Sequence, residues 1–150
     1  MTTAAMQSNI QAAAGSSVRD RVSRWQILIG RGVSGLAVTF MAFDGVMKFV
    51  QPAQVVEGSA HLGLGPELLT PVGAVLLVCT ALYAIPRTAI LGAILLTGYL
   101  GGAVFGNLRA GDPLFSHVLF PVYFGIAVWA GLFLRDESLR AFLPFRSQPA

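Results

Sequence analysis

The chain has 150 residues, of which 55% are hydrophobic and only 11% charged, and its formal net charge is +3. Soluble proteins carry roughly 25% charged residues, so a water-facing domain of this composition could not cover its own surface, and the bilayer is its natural solvent. The ten basic residues are spread out with no basic block, which excludes the electrostatic footprint of a nucleic-acid binder and leaves them as topology signals.

Residues 1–24 begin "MTTAAMQSNIQAAAGSSV", small and polar, without the apolar region of roughly 7–15 residues that a secretory signal needs. They are expected to form a disordered cytoplasmic tail ahead of a four-span domain over 25–144, with 145–150 as a second tail. The first span is uncharged only over 32–43. It reaches crossing length by running on through Asp44 and Lys48 to about Val50. Three uncharged runs follow, 68–86, 88–108 and 113–134, each near or above the roughly 20 residues that cross a ~30 Å hydrocarbon layer. Breakers mark the joints: a loop from Gln51 to Glu67, "IPRT" between the second and third spans, and "RAGDP" between the third and fourth. Within the first loop, Pro52 is placed to open a short helix ending near His61. The fold class expected is all-α, an integral membrane four-helix bundle. Arg19, Arg21, Arg24, Arg31, Arg87, Arg135, Arg140 and Arg146 collect on one side against Lys48 and Arg109 on the other, which predicts both termini in the cytoplasm.

Asp44 and Lys48 are the informative charges. Their i, i+4 spacing puts them on one helix face, where they can pair. Asp44 lies ~6 Å deeper than Lys48 by helix rise, so the lysine reaches the headgroups more easily than the acid does. A lone charge deep in a span costs ~2.5–3.5 kcal/mol on insertion scales. Arg109 is a second candidate partner for Asp44. The same topology carries Asp44, Lys48, Glu57, His61, Glu67, Asn107, Arg109, Asp112 and His117 to the extracytoplasmic end. Of these, Asp44, Lys48, His61, Asn107, Arg109 and His117 form the candidate polar site. Glu57, Glu67 and Asp112 are better accounted for by solvation than by function, Asp112-Pro113 also reads as a turn and cap, and His117 fits an interhelical hydrogen bond as well as a site. No catalytic residue is assigned, and two histidines with scattered carboxylates make no metal motif.

Gly98, Gly102 and Gly106 recur every fourth residue of the third span, with a second small stripe at Ala89, Ala93, Thr97 and Gly101, and both are expected to pack helices closely. Pro121 removes the donor to the His117 carbonyl, so the fourth span should bend there. Lone Cys79 in an apolar run reads as core.

"FDGVMKFVQP", "PRTAILGAILLTGYLGGAV" and "RAGDPLFSHVLFPVYFG" together resemble the DoxX-like family of small bacterial membrane proteins, over about 31–144. The first stretch is similar to that family's Gly-x-x-Lys ending of its first helix. The resemblance implies a multi-pass protein of the cell inner membrane, and relatives include membrane subunits of oxidoreductase systems that hand electrons to quinone. No cofactor is evident in the residues themselves; beside the lipid bilayer, the resemblance allows quinone as a cofactor, a membrane redox protein as a partner, and a homo-oligomer. Family members often carry histidine where this chain has Asn107. Two readings of other classes stay open: a small transporter like the four-helix multidrug exporters, and a structural or assembly protein of the membrane.

Overall fold

In hydrocarbon every backbone N–H and C=O must be bonded inside the protein, so long apolar segments with no sheet partner become helices. The computed structural model describes residues 2–136 and Leu139, with side chains from Arg24 onward. Helix α1 spans Thr2–Val50, α2 Ala53–His61, α3 Pro66–Ala84, α4 Ala89–Ala110 and α5 Phe120–Arg135, and a π-helical turn over Leu114–Val118 precedes α5. Four segments are long and apolar enough to cross a membrane: Arg24–Val50, Pro66–Ala84, Ala89–Ala110 and Leu114–Arg135. The four expected spans and the short helix after Pro52 are all present. The backbone of 2–24, expected as a disordered tail, continues α1, in keeping with an alanine-rich stretch holding one glycine and no proline. The expected tail at 145–150 and the last residues of the domain before it lie outside the described residues.

Helix ends follow local chemistry. Pro66 sits in the first turn of α3, where its missing N–H costs nothing. Gly111 ends α4 in the left-handed region at φ 77°, and the N–H groups of Gly111 and Asp112 close back on Leu108 and Asn107. The bend expected at Pro121 is a wide turn: Val118 and Leu119 donate to the carbonyls of Pro113 and Leu114, five residues back, and α5 restarts with Pro121 in its first turn.

Helix α1 packs on α3 and α5, and α4 packs on the same two, so α1 and α4 stand diagonally across the bundle. Leu36, Val75, Ile94 and Ile126 are exposed on the outside, where lipid would cover them. The bundle is tied most tightly at one end by Tyr83, whose side chain is completely buried. Its hydroxyl donates to the Val128 carbonyl at 2.8 Å and shares a 2.9 Å hydrogen bond with Ser34 Oγ. Arg135 donates to the Tyr83 carbonyl at 3.0 Å and lies 4.8 Å over its ring. One tyrosine on α3 thus joins α1 and α5 with every polar atom bonded, as a low-dielectric interior requires.

Backbones come closest at glycines other than the regular stripe. A Cβ on Gly131 would lie 2.5 Å from Ser34 Oγ, and one on Gly30 would lie 3.0 Å from the Gly131 carbonyl oxygen. A Cβ on Gly73 would lie 2.9 Å from both the Gly45 carbonyl oxygen and Lys48 Cβ. A Cβ on Gly92 would overlap the Tyr83 backbone. Gly98, Gly102 and Gly106, expected to pack helices, have nothing within 4 Å of such a Cβ, and neither does Gly101. Of the second stripe, Ala89 and Ala93 are in the core as expected. The glycines face open space because α4 is diagonal to α1, so no helix lies against that stripe.

Candidate functional site

The open space is a cavity of about 610 Å³ at the Asp44 end, between the diagonal helices α1 and α4. Ligand pockets typically measure ~300–1,000 Å³. One wall is the flat face of α4 at Gly98, Gly102 and Gly106. The other is aromatic: Phe40 of α1 stacks on Phe124 of α5 at 4.3 Å between centroids, and Phe120 packs 5.0 Å from Phe124. Tyr99 also reaches the cavity, and Ser59, Leu62 and Leu64, at the end of α2 and just beyond it, line its rim.

Asp44, Lys48, Asn107 and Arg109 all line this cavity. Lys48 Nζ donates to Asp44 Oδ2 at 2.6 Å. The lysine side chain is 13% exposed and the carboxylate 40%, so the acid is the more open member of the pair. The Gly45–Gly73 approach explains this burial. With no side chain at Gly73, α3 comes against Lys48 Cβ and covers the lysine stem, leaving its ammonium to turn back to Asp44. Gly45-x-x-Lys48 is therefore one device, a close helix crossing with a covered, internally paired lysine. Arg109 makes no ion pair with Asp44; the structure selects the local partner. Asn107 donates to the Ala103 carbonyl of its own helix at 2.8 Å.

The two histidines are placed differently. His61, at the end of α2, meets Asp112 in the α4–α5 connection at 2.9 Å and so straps the short helix across the cavity's rim without lining it. His117 bonds the neighbouring Ser116 hydroxyl at 2.8 Å, is exposed, and stays outside the cavity. Four of the six candidate residues thus converge, one holds the rim, and one does not take part. The aromatic wall was missed in the sequence, because Phe40, Phe120 and Phe124 look like any apolar residues of a span. So was the Ser34–Tyr83 tie, whose only signal is a hydroxyl pair on different spans.

These features define a four-span helical membrane protein with an aromatic-walled cavity at one end. The chain belongs to the DoxX-like family, whose model matches residues 32–131. No curated protein and no solved structure matches the chain.

Proposed function

We propose that the cavity binds the ring of a membrane quinone and that the chain is an accessory, quinone-linked subunit of a membrane redox system. The observation that carries this reading is the flat glycine wall of α4 set against the Phe40–Phe124 stack, with the hydrogen-bond donors Tyr99 and Arg109 among the lining. A quinone ring is flat, apolar on its faces and accepts hydrogen bonds through its carbonyl oxygens. Arg109, with no partner among the described residues, and Tyr99 are the donors best suited to them. Nothing in this arrangement asks the chain to carry electrons itself; its part is to hold and orient the ring. Proton-coupled export is the weaker reading, because the carboxylate it would use, Asp44, is engaged by Lys48 in its own helix.

The proposal is tested by titrating tail-free benzoquinone against the purified chain in lipid nanodiscs. Gly102→Leu puts a side chain into open space, so it should leave the melting temperature nearly unchanged and abolish binding. Arg109→Gln should weaken binding about tenfold, the weight of one hydrogen bond from a charged donor. Equal binding by wild type and Gly102→Leu would refute the cavity as the site.

We further infer that the Tyr83 end faces the cytoplasm and that the cavity opens outside it, in the cell inner membrane. Arg24, Arg31, Arg87 and Arg135 sit at or near the Tyr83 end of their spans, whereas Lys48 and Arg109 sit at the other. In a Cys79→Ser background, Glu57→Cys is expected to react with an impermeant thiol reagent in intact cells, and Arg87→Cys only after permeabilisation. The reverse pattern would invert the orientation.

A further inference from the structure

A second cavity of about 660 Å³ lies on the outside of the bundle, in the groove between α4 and α5. Its walls are almost wholly apolar, with Gly101 on one helix facing Gly125, Ile126 and Trp129 on the other. Two residues, Leu100 and Pro121, line both this groove and the ring cavity. The two spaces are therefore neighbours separated by a thin partition, placed where α5 restarts after the wide turn. From Pro121 the groove continues along α5 to Phe133, about 18 Å of helix rise, in the direction in which lipid chains run.

We propose that the groove is the subsite for the long apolar tail of the ligand whose ring occupies the inner cavity, the tail leaving past Leu100 and Pro121. This rests on the quinone reading above and extends it to a ligand with a polyisoprenoid-length tail. The physical case is adjacency and tethering: buried Leu100 and Pro121 form the shared wall, and the tail passes it when the Leu100 side chain turns aside. A tail gains little hydrophobic free energy by moving from lipid into an apolar groove, because lipid chains are equally apolar. It gains contact with preformed walls, and a bound ring holds it beside the groove at high effective concentration, an advantage that a free acyl chain lacks. The small side chains leave room for it: a Cβ at Gly101 meets nothing within 4 Å, and one at Gly125 meets only Leu100 Cδ1 at 3.8 Å.

That room makes the test clean, since a larger side chain at either position fills the groove without opening the bundle. The full chain in nanodiscs is titrated with a benzoquinone carrying a long isoprenoid tail and with the same ring carrying only a methyl group, concentrations being expressed per lipid. Gly125→Leu and, independently, Gly101→Leu should each weaken the tailed compound about tenfold, equivalent to ~1.4 kcal/mol, and leave the methyl compound unchanged. In a Trp25→Phe background, where Trp129 is the remaining tryptophan, a tail brominated at mid-chain should quench its fluorescence beyond the unbrominated tail. Unchanged affinity for the tailed compound in both variants, with the methyl compound still bound, would overturn the tail subsite and leave the ring site standing. A methyl compound that fails to bind the wild-type chain would overturn the ring site and this inference with it. If Gly125→Leu instead converts a dimer to a monomer without changing tailed-ligand affinity, the groove is covered by a second copy and the inference falls.

Discussion

Gly92→Ala is expected to be the most damaging single-methyl change in the described part of the chain. On helix propensity alone, alanine should stabilise a helix interior by up to ~1 kcal/mol over glycine. Here the added Cβ would overlap the backbone of Tyr83, which cannot rotate away as a side-chain tip would. Helices α3 and α4 are joined by only the short link from Ile85 to Thr88, so α4 can retreat only by dragging the end of α3 with it. Tyr83 is on that end, and its bonds to Ser34, Val128 and Arg135 would be stretched together. Overpacking costs ~1–3 kcal/mol and each strained buried hydrogen bond adds about 1 kcal/mol, so the clash should outweigh the propensity gain several-fold. Thermal unfolding in mild detergent checks this, with Gly98→Ala as the control: its Cβ enters open space and should leave the melting temperature unchanged or raise it. Equal loss in the two variants would show that the close approach is not where the structure puts it.

The second large effect belongs to Lys48→Gln. It leaves Asp44 as an unpaired carboxylate within a span, a situation worth ~2.5–3.5 kcal/mol on insertion scales, reduced here because the carboxylate side chain is 40% exposed. Asp44→Asn should cost a comparable amount, since the lysine left behind is the more buried of the two, its stem covered by α3 at Gly73. The double variant should be less damaged than the sum of the two singles, because the second substitution removes the charge that the first orphaned. Arg109→Gln should add to Asp44→Asn without coupling, as the structure gives these two no ion pair. A double-mutant cycle on melting stability measures all of these terms. Coupling of Asp44 to Arg109 rather than to Lys48 would contradict the geometry.

What could be read from the sequence divides along a physical line. Spans, the short helix after Pro52 and the Asp44–Lys48 pair depend on contacts within about one helical turn, and hydropathy, proline placement and i, i+4 spacing report those directly. Contacts between helices are not periodic in either helix alone. Gly98, Gly102 and Gly106 make a smooth face, and spacing cannot say whether a helix or an empty space lies against it. The glycines that do bring backbones together, Gly45 with Gly73 and Gly30 with Gly131, are single positions on different spans. The polar site was half legible for the same reason. Topology brought Asp44, Lys48, Asn107 and Arg109 to one end of the bundle, but only the diagonal arrangement of α1 and α4 puts them around one cavity. His61 and Asp112 were both noted as outer-end residues, and their pairing needed the position of α2.

Photoaffinity labelling with a tail-free benzoquinone bearing an azide on its ring tests the central claim most directly. The account predicts adducts on Phe40, Tyr99 and Phe124 in the purified wild-type chain, prevented by excess unlabelled ring and absent in Gly102→Leu. Adducts confined to the lipid-facing surface, or insensitive to competitor, would contradict a ring-binding cavity at the Asp44 end.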